Sequence, residues 1–219
     1  MKVEILSDEI VGKEGGFLAI RRLHVVNVRP DGSRSAPYLC DFIVRDKGVD
    51  AVVVAVYSRR GDSVQVLLRH GLRLPLHIGR PAARLPVADS RRHLFFREVV
   101  AGIIENDDVG EEGVRRRAAL EVDEEAGFRV EPRDIIFLGA GTFPSPGAMV
   151  EKFWLTAVEV DPSAASDVLA GDGSPMEEGA HVEWLELDSA IEACVVGDLE
   201  DAKTEIVLRR LRDRLKKGA

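Results

Sequence analysis

Residues 49–57, VDAVVVAVY, constrain the fold more than any other stretch of the chain. Side chains branched at Cβ are stiff about χ1 and crowd a helix, whereas they pack well on a pleated surface, so a run this dense reads as a β-strand. Residues 59–62 (RRGD) supply turn chemistry, and VQVLL at 64–68 supplies a second apolar run. Together they predict a central β-hairpin. A chain of 219 residues can build one compact domain around it, burying roughly 70% of its unfolded surface.

Other elements follow from punctuation and periodicity. Residues 17–28 mix apolar and basic side chains, PDGS at 30–33 reads as a turn, and a run through Tyr38, Cys40, Phe42 and Val44 completes an N-terminal hairpin. Residues 71–90, broken by Pro75, Gly79, Pro81 and Pro86, predict a long loop. A short strand near 94–104 precedes the acidic stretch ENDDVGEEG and a helix over about 113–126, which Gly127 ends. Val114, Ala118 and Val122 share one side of that helix. Strands near 135–138 and 152–160 flank the rigid loop GTFPSPGAMVE. An acidic loop, GDGSPMEEG, then leads to a strand at HVEWLEL and a short helix at 189–194. In the closing segment Ala202, Ile206, Val207 and Leu211 recur at helical spacing.

Charge and cysteine usage exclude several classes. Thirty basic against thirty-eight acidic residues give a net charge of −8, which disfavours nucleic acid and anionic lipid as partners. The sign reverses locally: from Arg59 to Arg97 there are nine arginines against two aspartates, a bias that can focus an anionic ligand. Cys40 and Cys194 are isolated from each other and form no zinc-type cluster. The start of the chain carries acidic residues rather than an apolar leader, and no window reaches the length of a membrane span. The expectation is a cytoplasmic protein without a membrane partner.

Glu121, Glu124 and Glu125, in ALEVDEEAGF, lie three and four positions apart and so share a helical face. Like charges at that spacing repel, and a hard divalent cation such as Mg²⁺, which prefers carboxylate, carbonyl and water oxygens, would turn the repulsion into attraction. The stretch 102–128 resembles the Nudix box, whose pattern is a glycine, five residues, a glutamate, seven residues, then RE(apolar)xEExG(apolar). Here Glu112, seven residues and LEVDEEAGF keep the second half in register. Two positions depart: nine residues rather than five separate Gly102 from Glu112, and Leu120 stands where the family has arginine. Arg116 or Arg117, one turn earlier, could supply the missing guanidinium.

Outside the box the chain is similar to the ADP-ribose and nucleoside-diphosphate-sugar pyrophosphatases of that family. REVVAGII at 97–104, SPGAMVE at 145–151 and DAKT at 201–204 carry this likeness. The resemblance implies an α+β fold, an α/β/α sandwich with a mixed sheet between helices. It also implies an N-terminal β-hairpin appendage, residues 1–46, that helps form a homodimer, and a catalytic domain over 47–219. By resemblance Glu121, Glu124, Glu125 and the Ala101 carbonyl would hold Mg²⁺ or Mn²⁺, and Glu178 on a mobile loop would deprotonate the attacking water, with Glu177 as its rival. Arg73, Glu98, Glu151 and Gly147 would contact the substrate, a nucleotide sugar with ADP-ribose first. The two departures keep open a catalytically impaired, nucleotide-binding regulator, and the long loop keeps open a coenzyme A or capped-nucleotide pyrophosphatase.

Overall fold

The computed structural model describes residues 1–12, 16–61, 63–89, 91, 93–166, 169, 171 and 173–217. Three N-terminal strands, β1 (Lys2–Val11), β2 (Leu18–Val28) and β3 (Tyr38–Arg45), form an antiparallel sheet in the order β1-β2-β3. The expected N-terminal hairpin is β2 and β3; β1 is an addition. Its sequence, KVEILSDEIV, has no period-two separation of apolar from polar residues, and nearly all of it is exposed. That gives a one-sided strand pattern nothing to register.

The central hairpin is β4 (Ala51–Arg60) and β5 (Ser63–Leu72). Within the segment expected to be loop, Leu74–Gly79 forms a short helix, α1, that buries no residue. The single strand expected near 94–104 is two, β6 (Phe95–Glu98) and β7 (Val100–Ile103), which take different partners. Helix α2 (Gly110–Ala126) follows, then β8 (Ile136–Phe137), β9 (Phe153–Glu159), β10 (His181–Glu186), α3 (Leu187–Val196) and α4 (Ala202–Lys217). The sheet built on β4 has the order β10-β5-β4-β9-β8, with β4 and β9 parallel.

Strand β4 explains why the domain has three layers. Val52 to Val56 are fully buried, and successive residues face opposite sides. Val53, Ala55 and Tyr57 join Leu187, Ile191, Val207, Leu208 and Leu211 of α3 and α4. Val52, Val54 and Val56 join Val114, Ala118 and Val122 of α2. The mixed sheet between helices is thus dictated by a strand with no polar face.

Beside β4 the sheet forks. Tyr57–Arg60 pair with β5, but Ala51–Val54 pair with β7, so β5 diverges and takes β6 as its own neighbour. Ala101 and Gly102 stand on one arm, opposite Val53 and Val52, while Arg69 and Glu98 face each other on the other arm. The C-terminal half of α2 lies against this fork.

Candidate active site

Helix α2 is anchored by its apolar side and stopped by Gly127, whose left-handed φ of 73° is the conformation a residue without Cβ adopts freely. Anchoring fixes where its carboxylates point. Glu125 Oε2 accepts the Ala101 N–H at 3.1 Å, and Glu125 Oε1 lies 3.4 Å from Arg69 Nη1. The Glu121 carboxylate rests on Gly102, where a Cβ would overlap it. Glu124 lines the adjoining cavity. The box glutamates therefore meet at the fork, against the backbone of the residue expected to lend its carbonyl.

Burial makes this crowding costly. The Glu121 carboxyl is pushed up to about 8, by burial first and then by Glu125 and Glu124. Glu125 is raised to about 7 by burial, against the lowering effect of Arg69 and the Ala101 N–H. A site made of carboxylates that resist ionising together, backed by open strand backbone, suits a hard divalent cation by its donor chemistry.

Arg69 holds the cleft together from below. It is 4% exposed, and its Nη2 donates to Glu177 Oε1 at 3.0 Å while Nη1 faces Glu125. The acidic loop is thereby drawn toward the carboxylate helix, and between them lies an open cleft of about 800 Å³ with Glu124, Glu125, Glu177, Glu178 and His181 in its wall. Glu178 is exposed at its rim, whereas Glu177 is half-buried in the Arg69 pair. His181 stacks on His70, ring centroids 4.3 Å apart.

Arginine does return to the carboxylates in place of Leu120. Arg117 Nη1 lies 4.0 Å from Glu121 Oε1, while its Nε donates to Asp108 Oδ2 at 2.8 Å and its Nη2 sits 3.5 Å from Glu105 Oε2. Arg116 is exposed, as is Leu120. Both acidic partners come from the lengthened part of the box, so its extra residues hold the displaced arginine.

The remaining expected contacts are dispersed. Glu98 is 2% exposed and is paired with Arg73 Nη2 at 2.5 Å and with the Lys203 ammonium, which also pairs with Asp201 at 2.9 Å. Glu151 pairs with Arg45 at 2.6 Å and lines a separate cavity beside β3, and Gly147 is exposed in the same loop region. The basic stretch is largely neutralised: Arg59, Arg69, Arg73, Arg80, Arg91 and Arg97 all face carboxylates. Arg69, Lys203 and Asp108 were not singled out from the sequence. An arginine inside the apolar run VQVLLRHGL was a visible signal for Arg69, because a cation flanked by strand residues on both sides must be buried with partners.

The sequence matches no protein-family profile and no curated protein. Solved structures do match. A crystal structure of an ADP compounds hydrolase superposes with a TM-score of 0.67 at 15% identity, over 100% of this chain and 97% of that one. A C. elegans Ap4A hydrolase binary complex gives 0.43 at 15% identity, covering 77% and 98%. The NUDIX domain of Shewanella oneidensis NrtR, complexed with ADP ribose, gives 0.48 at 14% identity, covering 78% and 90%. The chain therefore shares, along its whole length, the fold of that ADP compounds hydrolase, an α+β architecture with a mixed sheet between helices. Among the described residues no helix is long and apolar enough to cross a membrane.

Proposed function

We propose that this protein is a divalent-metal-dependent hydrolase of the pyrophosphate bond of ADP-ribose or a related nucleoside-diphosphate sugar, releasing a nucleoside monophosphate and a sugar phosphate. The observation that carries the reading is the meeting of Glu121 and Glu125 over Gly102 and Ala101, with Glu124 in the adjoining cavity wall and the first two resisting ionisation because they are buried. The hydrolase fold supports it.

Glu121, Glu124, Glu125 and the Ala101 carbonyl would hold Mg²⁺, with Mn²⁺ as an alternative. Bound there, the ions would neutralise phosphoryl oxygens and lower the pKa of water. The chain's own groups do the rest. The Ala101 N–H and the Arg69 guanidinium fix the Glu125 carboxylate in one orientation. Glu178, at the cavity rim, would take the proton of the attacking water, while Glu177, tied to Arg69, would hold the loop down and exclude bulk solvent. Water oxygen bonds to one phosphorus as the bridging P–O bond breaks. Arg73, positioned by Glu98, would offer its exposed N–H groups to the diphosphate.

The N-terminal sheet supports a homodimer, since Val3, Ile5, Ile10, Ile20 and Leu39 are all exposed on it. Light scattering of the purified protein would return twice the chain mass, and a monomer would refute that part.

The test is a hydrolysis panel of ADP-ribose, UDP-glucose, GDP-mannose and coenzyme A with products identified by mass. ADP-ribose is expected to give AMP and ribose phosphate only when Mg²⁺ or Mn²⁺ is present. Glu125→Gln is expected to lose at least about 100-fold in kcat while remaining folded. Turnover indifferent to chelation, or a fully active Glu125→Gln, would overturn the proposal.

A further inference from the structure

A second set of ligating side chains lies outside the cleft, where the segment entering β6 meets the turn between α3 and α4. Asp89 and His93 come from the first and Glu200 from the second, and one ligand atom from each lies within 4.8 Å of the others. Arg91 occupies the far oxygens. Its Nε donates to Asp89 Oδ1 at 3.1 Å and its Nη2 to Glu200 Oε1 at 2.6 Å, and it is anchored by the Gly197 carbonyl. The near oxygens, Asp89 Oδ2 and Glu200 Oε2, face His93 Nε2 at 3.5 and 3.4 Å.

Those two separations exceed the charge-assisted hydrogen-bond range of about 2.7–2.9 Å. They match a different geometry. Tetrahedral ligands around zinc, bound at about 2.0–2.2 Å, stand about 1.6 bond lengths apart, or about 3.3–3.6 Å. We propose that Asp89, His93 and Glu200 form a binding site for a divalent transition-metal ion of the Zn²⁺ and Co²⁺ type, distinct from the carboxylates of α2.

The donor set selects for such an ion, because imidazole suits zinc and cobalt while Mg²⁺ prefers oxygen alone. Arg91 acts from behind, fixing both carboxylates so that their free oxygens converge. Arg80 Nη2, 3.7 Å from Asp89 Oδ2 on a side chain 47% exposed, would swing into solvent as the ion enters. A cavity of about 140 Å³ lies beside the cluster, lined by Arg91, His93, Phe96, Arg97 and Glu200. The ion would fasten the end of the Arg73 segment to the residue before Asp201, next to the Asp201–Lys203–Glu98–Arg73 chain of ion pairs.

The test uses the full chain saturated with Mg²⁺, titrated with Co²⁺ while the visible d–d absorption is followed, and with Zn²⁺ by calorimetry. One equivalent of each is expected to bind beyond the Mg²⁺. His93→Gln and Glu200→Gln, on different elements, should each weaken it by at least about tenfold. Circular dichroism checks that each variant is folded. Glu200 is the more exposed of the two, so its variant decides the matter if the histidine variant fails to fold. No cobalt spectrum in the Mg²⁺-saturated protein, or unchanged affinity in a folded variant, would overturn the site.

Discussion

Replacing Gly102 with alanine tests the cleft more sharply than removing a carboxylate, because it leaves every charged group in place. Gly102 lies in β7 without a positive φ, so alanine suits its backbone. The added Cβ, however, would occupy the space of the Glu121 carboxylate, whereas ordinary contact begins near 3.4 Å. The carboxylate must retreat by more than about 1 Å, and a misplacement of about 1 Å in a reacting constellation can cost about 100-fold. The obstructing atoms end a flexible side chain, so the cost to stability should stay within about 1–3 kcal/mol, the usual range for overpacking. Gly102→Ala is expected to lose about 100-fold in kcat on ADP-ribose at saturating Mg²⁺, with a far-UV spectrum like the parent's. Activity within about threefold of the parent would show that Glu121 does not work from where the fold puts it.

The shifted carboxyls give a pH signature. Folding raises Glu121 from 4.5 to about 8 and Glu125 from 4.5 to about 7, so the folded chain holds more protons than the unfolded one. Their contribution to stability is then greatest below pH 4.5 and is lost as the pH rises through about 8. Melting temperatures in chelator should fall across that window and be largely restored by Mg²⁺, while a flat series would contradict the burial of these charges. Arg69→Met removes the cation between Glu125 and Glu177 and should cost about 3 kcal/mol in denaturant unfolding, with faster amide exchange in the acidic loop; unchanged exchange there would dissociate Arg69 from the loop. Asp201 accepts both the backbone N–H and the hydroxyl of Thr204, at 3.1 and 2.6 Å. Asp201→Ala should therefore cost about 1–2 kcal/mol and Asp201→Asn much less; equal losses would deny the capping role.

The layered core was legible because it rests on local patterns. The β-branched run marked β4, and the spacing of Val114, Ala118 and Val122 marked the face of α2 that packs beneath it. The carboxylates of α2 were legible for the same reason, since i, i+3 and i+4 positions must be neighbours on any helix. What could not be read was the fork. Residues 95–103 look like one strand, and nothing local says that Glu98 will pair with β5 while Ala101 pairs with β4. The resemblance made Glu98 a substrate or subunit contact, whereas its burial between Arg73 and Lys203 depends on a pairing choice made across the sheet. β1 escaped for the opposite reason, because with both faces exposed it obeys no burial pattern.

The two irregularities of the box, which appear independent in sequence, are one arrangement in space. The guanidinium near Glu121 is displaced by about one turn, from position 120 to Arg117. The longer loop brings Asp108 to 2.8 Å and Glu105 to 3.5 Å, and those anions hold Arg117 within 4.0 Å of Glu121. Leu120 is then free to be 43% exposed without leaving the carboxylates unsupported. A change at Asp108 should accordingly reach Glu121 through Arg117, although Asp108 does not line the cleft. Asp108→Ala is expected to raise the Mg²⁺ concentration needed for half-maximal activity by several-fold while leaving kcat at saturating Mg²⁺ nearly unchanged, a split that loss of a proposed ligand such as Glu125 would not give.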